Sequence, residues 1–144
     1  MNIIIIESRP SDQPDLRMLF LKERQKTFAW KDAASFHPDD FDKETEGETI
    51  LVALCDNRLV GFISIWLPDN FIHHLFVDSA YQNLGIGGKL LEKAIEKTGL
   101  PVSLKCLELN TKAVAFYTGK GFTEKAKGGE GEESYILFEL DQKV

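Results

Sequence analysis

Cysteine is scarce in this chain: Cys55 and Cys106 are the two it has in 144 residues. Both sit in strand-like apolar runs. Neither a disulfide framework nor a metal-ligand spacing is visible, so no metal is expected and a reducing compartment, the cytoplasm, is the expected location. Long hydrophobic runs are missing as well. Met1 to Ile6 holds four consecutive isoleucines before Glu7, too few for a signal-peptide core or a membrane span. Positive charge is in deficit. Lys and Arg number 17 against 23 Asp and Glu, a net charge of −6, which argues against a general nucleic-acid-binding surface. No internal repeat occurs. The one low-complexity patch, Lys127 to Glu133, reads as an exposed hairpin loop.

What is present is ordinary for a soluble globule: 43% hydrophobic and 28% charged residues. The length suits a single domain, 1–144, with a real core. Ile3 to Ile6 reads as a short buried strand. Ser11 or Asp12 can cap the helix that follows, with Pro14 in its first turn and Leu16, Leu19 and Phe20 as its stripe. Lys26 to Glu48 reads as a second short helix and a long aromatic and acidic loop. Thr49 to Trp66 is two strands joined by a tight turn at Asp56-Asn57. Phe71 to Val77 is the next strand. From Ile86, apolar residues recur at Leu90, Leu91, Ala94 and Ile95, a helical stripe that Gly99 and Pro101 end. Val102 to Leu107 is a strand and Lys112 to Gly119 a short helix. Phe122 to Lys127 and Ser134 to Leu140 pair as a closing hairpin. The order β-α-α-β-β-β-α-β-α-β-β describes a mixed α/β sheet.

The stretch "YQNLGIGGKLLEKA", Tyr81 to Ala94, places three glycines at the start of a helix. The first helical turn has unpaired N–H groups and the positive end of the macrodipole. Bare backbone there lets an anion approach, so the stretch reads as a phosphate cradle. A Walker loop fails on named residues: Asn83 stands where its first glycine belongs, and Leu90 follows Lys89 where a hydroxyl is needed. A dinucleotide fingerprint fails at Leu90 too, and a meander precedes the loop.

A third pattern fits. Gln82-Asn83-Leu84-Gly85-Ile86-Gly87, after Leu75-x-Val77, resembles the central motif of the GCN5-related N-acetyltransferase (GNAT) superfamily. "NTKAVAFYTGKGF", Asn110 to Phe122, resembles that family's second motif. Two motifs in order and at the right spacing are far more specific than either alone. The family usually carries proline where this chain has Ser79, a departure that removes no ligand group.

The resemblance implies a GNAT-like sheet whose central strands splay, with acetyl-CoA as co-substrate. Backbone N–H groups of Gln82, Asn83, Leu84, Gly85, Ile86, Gly87 and Gly88 would hold the pyrophosphate without a metal. A freed N–H near Leu75, Phe76 or Val77 would polarise the thioester carbonyl. Asn110 would bond the pantetheine amide or simply cap its helix. Tyr117 would be the general acid, and helical geometry expects one of Phe116 and Tyr117 to face the core and the other the cleft. For the base, some arylalkylamine members of the family carry histidine at the position of His73; Glu46, Glu48 or water alone are the alternatives. Strand alternation expects His73 on the face of Phe71 and Leu75, and His74 on the opposite face beneath a helix.

In this family the acceptor pocket comes from the first helices and the loop after them. Here those hold Phe28, Trp30, Glu46 and Glu48, aromatic and acidic groups suited to a protonated amine. The implied activity is acetyl transfer by direct attack of a primary amine, from a small molecule or a lysine-like group. No nucleic-acid or membrane partner is expected, and a homodimer is left open. The alternative from another class is a non-catalytic module of the same fold that binds acyl-CoA as a sensor or partner.

Overall fold

Each apolar run becomes a strand in the computed structural model, which describes residues 2–142. The strands are β1 (Ile3–Glu7), β2 (Thr49–Cys55), β3 (Arg58–Trp66), β4 (Phe71–Val77), β5 (Val102–Leu107), β6 (Thr123–Gly128) and β7 (Tyr135–Leu140). The helices are α1 (Gln13–Thr27), α2 (Asp40–Glu44), α3 (Ile86–Thr98) and α4 (Thr111–Gly119). All seven strands share one sheet in the order β1-β2-β3-β4-β5-β7-β6. Every pair is antiparallel except β4 with β5, which α3 joins as a crossover. The mixed sheet and the order of elements are those expected.

The turn between β2 and β3 has positive φ at both Asp56 and Asn57, as a two-residue hairpin of matching twist requires. The start of α1 differs from expectation. Asp12 does not cap the helix with its side chain. Its carboxylate instead accepts from the backbone N–H of Arg9 at 2.8 Å and from its guanidinium at 2.9 Å. A charge-assisted partner three residues back outcompetes the cap.

The sheet alternates between two cores. Leu51, Ala53, Ile63, Ile65 and Ile72 face α3 and α4. Val52, Leu54 and Phe62 face α1 and α2, where they meet Leu16, Leu19, Phe20 and Phe41. Phe20 is the hub of that second core, with edge-on contacts to Phe41, Phe62, His74 and Phe76 at centroid distances of 4.7–5.9 Å. Arg24, one turn later, lies 3.8 Å above the Phe20 ring and bonds Asp40 of α2 at 3.1 Å. The guanidinium thereby clamps α2 to α1.

Truncating this hub is expected to be costly. Phe20→Ala should lose about 3–5 kcal/mol, the usual range for a buried phenylalanine. Met18→Ala, on the exposed side of the same helix (Met18 is 62% exposed), should change stability by no more than about 0.5 kcal/mol. Urea denaturation of both variants beside the parent checks the contrast; equal losses would refute the placement of the core.

Candidate active site

The site begins with one extra residue in β4. Gly61 pairs with Val77 and Ser64 with His74, but Ile65 pairs with Ile72. His73 is therefore a bulge, with no residue of β3 opposite it. On its other edge β4 pairs with β5 only at Phe71 with Ser103 and Ile72 with Leu104. Past the bulge the two strands part, so Leu75, Phe76 and Val77 keep one hydrogen-bonding edge free of a strand partner.

The gap opens into a cleft of about 1160 Å³, larger than a pocket for a drug-sized ligand at roughly 300–1,000 Å³. One wall is Leu75, Phe76 and Val77, and the other is Asn110 and the α4 residues around Phe116 and Tyr117. At its end lies the glycine loop: Gln82, Asn83, Gly85, Ile86, Gly87 and Gly88 all contribute. Asn83 and Gly85 have φ of 66° and 78°, and this left-handed path turns the chain abruptly into α3. Gln82 donates from Nε2 to the carbonyl of Val77 at 3.1 Å, which ties the loop to β4. The Leu84 side chain between Asn83 and Gly85 is exposed and is not among the residues that line the cleft; the expectation for this residue concerned its backbone N–H.

Three lysines, Lys26, Lys112 and Lys120, also line the cleft. A methyl group added at Gly88 would lie 3.0 Å from Lys120 Nζ, so a cation sits directly over the start of α3. Bare amides, a helix N-terminus and ammonium groups together suit a polyanionic ligand. That is the structural test of the cradle, and its residues fit a diphosphate without a metal.

Tyr117 is 8% exposed and belongs both to the cleft and to the core. Burial pushes its phenol well above the ordinary range, with Cys106 adding to the effect, so the hydroxyl keeps its proton. The expectation that Phe116 and Tyr117 divide between core and cleft is corrected: both line the cleft. Tyr117 lies where the core reaches the cleft floor, and Phe116 packs by Gly87. Asn110 caps α4, accepting from the Ala113 N–H at 3.3 Å, and it also lines the cleft.

The bulge corrects the expected faces of the histidines. His73 does not oppose His74; their rings stack at 3.9 Å and 27°. His74 packs against Phe20 of α1, as expected of a residue beneath a helix. His73 joins it on the α1–α2 face, and its Nδ1 lies 2.8 Å from the Glu48 carboxylate. Neither histidine is in the wall of the large cleft, which begins two residues on at Leu75. Burial holds the His74 imidazole well below its usual range, with His73 and Arg24 adding to the effect. Glu44 approaches His74 Nε2 at 3.5 Å. A histidine–carboxylate group of this kind was not expected from the sequence, where the spacing of these residues carries no signal.

The other acceptor-site candidates divide. Phe28 contacts Trp30 edge-on at 5.6 Å and stacks on Phe36 at 6.3 Å, so these rings cluster with one another, but none of the three lines the cleft. Glu48 goes with His73, whereas Glu46 stays exposed in the turn after α2. One buried contact was missed. Glu23 of α1 is 3% exposed at its side chain and accepts from the Ser79 N–H at 3.1 Å and hydroxyl at 2.8 Å. A proline at Ser79 has no N–H to give, so the departure from the motif is the trace this contact leaves in the sequence.

A family model, Acetyltransferase (GNAT) family, matches residues 15–122. An uncharacterized N-acetyltransferase of Archaeoglobus fulgidus is 34% identical over 98 residues, 58% of this chain. The match spans just under two thirds, 66%, of that relative's length. Among solved structures, the PaiA N-acetyltransferase of Thermoplasma acidophilum, in complex with coenzyme A, is similar with a TM-score of 0.80 at 21% identity. It is covered over 100% of its length by 99% of this chain. YncA, a putative acetyltransferase of Salmonella typhimurium with its cofactor acetyl-CoA, has a TM-score of 0.76 at 17% identity, over 96% of this chain and 93% of its own. At these identities the structures establish the fold, and the family model, over three quarters of the sequence, establishes the kinship: the chain belongs to the GNAT acetyltransferase family.

Proposed function

We propose that this protein is an acetyl-CoA-dependent N-acetyltransferase that acetylates a primary amine of a small molecule or a lysine-like group. The observation that carries the reading is the short parallel pairing of β4 and β5. It leaves a free strand edge at Leu75 to Val77, between an anion cradle and a buried phenol. The CoA-bound PaiA and YncA structures share this fold, and the cradle suits the pyrophosphate of the same ligand.

In this reading the residues divide the work as follows. The amides of the glycine loop and the three lysines hold the phosphates. A backbone N–H of Leu75, Phe76 or Val77 donates to the thioester oxygen and stabilises the negative charge that develops there. The free amine attacks the carbonyl carbon, a C–N bond forms and the C–S bond breaks. Tyr117 gives its proton to the departing thiolate and regains one from solvent. His73, with Nδ1–H donating to Glu48, keeps a lone pair on Nε2 and takes the proton the amine must lose, through water, since it stands outside the cleft wall. Phe28, Trp30 and Glu48 supply an aromatic and acidic approach for a cation. The test is CoA release over a panel of amines. Binding of acetyl-CoA with no turnover on any amine would favour the non-catalytic module.

Three variants separate these roles. Gly87→Asp puts a carboxylate beside the cradle, against the Phe116 ring, and should abolish CoA binding by bulk and like charge with the fold intact. Isothermal titration showing unchanged affinity would sink the cradle assignment. Tyr117→Phe keeps the ring and should lower turnover by roughly 10²–10⁴-fold with little change in CoA binding. Full activity would demote Tyr117 to packing. His73→Gln should slow transfer most near neutral pH and less at alkaline pH, where an amine of pKa ~10.4 is already largely free. An unchanged pH–rate profile in the folded variant moves the base elsewhere.

A further inference from the structure

The histidine pair has a geometry that acetyl transfer does not require. Glu44, His73 and His74 each offer one ligand atom, and the three atoms lie within 4.8 Å of one another. Glu44 Oε1 is 3.5 Å from His74 Nε2, yet this nitrogen is buried with no hydrogen-bond partner. A tetrahedral zinc with bonds of about 2.0–2.1 Å holds its ligand atoms about 3.3–3.5 Å apart. The spacing is therefore that of two atoms awaiting a common partner, and it is poor for a hydrogen bond. We propose that Glu44, His73 and His74 form a site for a divalent first-row transition ion of the zinc kind, with Glu48 orienting His73 from behind.

An independent observation points the same way. The Glu48 side chain is 7% exposed; one oxygen bonds His73 Nδ1 at 2.8 Å and the other, Oε1, is buried without a partner. A carboxylate on the far nitrogen of a ligating histidine fixes its tautomer and ring plane and strengthens it as a ligand. Arg24 provides the same support for Glu44, with Nη1 at 3.5 Å from Oε2. Its own charge opposes a cation, but Asp40 pairs with it at 3.1 Å. Asp40 and Glu44 face the one guanidinium while Glu48 faces His73, so three carboxylates against one guanidinium leave a balance that favours a dication. Two imidazoles and a carboxylate suit zinc and its neighbours and not calcium or magnesium, which take oxygen ligands. Glu44 and His73 are exposed, so the ion can reach the site from solvent and both side chains can rotate to close on it.

Metal in this site would take the His73 lone pair used in the proposed transfer, but the binding test stands apart from that reading. Zinc chloride is titrated calorimetrically into the whole chain, with cobalt chloride as a spectroscopic probe. One equivalent should bind, and cobalt should show the intense visible d–d bands of a tetrahedral ion. Glu44→Gln and His73→Gln, both at exposed positions, should each weaken zinc at least about tenfold, and Glu48→Gln, which touches only the supporting carboxylate, about 10–100-fold. Circular dichroism confirms that each variant is folded. The proposal is overturned if the parent binds less than one equivalent. It is equally overturned if Glu44→Gln and His73→Gln bind zinc like the parent.

Discussion

The rest of the site depends on a single inserted residue. His73 has no counterpart across β3, and a strand with an extra residue must bend and twist more than its neighbours. Two consequences follow from that bend. The ladder to β5 stops after two residue pairs, which creates the cleft and frees the backbone of Leu75 to Val77. Side-chain alternation also loses one step, which puts His73 and His74 on one face. The cleft and the histidine cluster beside it thus have one cause.

A split sheet needs support, because parting strands give up ladder hydrogen bonds. The two cores supply it from opposite sides. On one, α3 fills the crossover with Ile86, Leu90, Leu91 and Ala94. On the other, Phe20 joins α1 to β3 and β4 through aromatic edges. Polar contacts then fix the loop that leaves β4. Asp78 accepts from Lys22 at 3.0 Å and from the Ala80 N–H at 2.9 Å, and Glu23 takes both donors of Ser79. Charge-assisted bonds to buried carboxylates are each worth about 1.5–3 kcal/mol. They hold the approach to the glycine loop against α1, so the backbone of that loop is fixed by contacts within the protein.

The legible parts of this molecule are those that local rules govern. Strands followed from β-branched runs, the hairpin from Asp56-Asn57, and the tight entry into α3 from its glycines, because each depends on residues next to one another. Asn110 and Tyr117 were legible through the second motif, whose spacing is also local. The bulge was not, since a period of two is assumed until a partner strand shows otherwise. Nothing in "FIHHLFV" marks its third residue as the extra one. The contacts of Glu23 with Ser79 and of Glu48 with His73 were hidden for another reason: they join residues 56 and 25 apart in sequence, and only the fold brings them together. Ser79 in place of the usual proline was the one sequence sign that something there needed an N–H.

The net charge of −6 is a poor guide to what this protein attracts. At physiological ionic strength charges are screened beyond roughly 8 Å, so a ligand responds to the groups around it and not to the sum. Around the glycine loop those groups are Lys26, Lys112, Lys120 and the positive end of α3, with the one carboxylate, Glu23, already bonded to Ser79. On the α1–α2 face they are Asp40, Glu44 and Glu48, with Arg24 already engaged. Lysines therefore gather where the proposed cradle opens and carboxylates gather beside the histidine pair, and β4, bent by its bulge, contributes residues to both places.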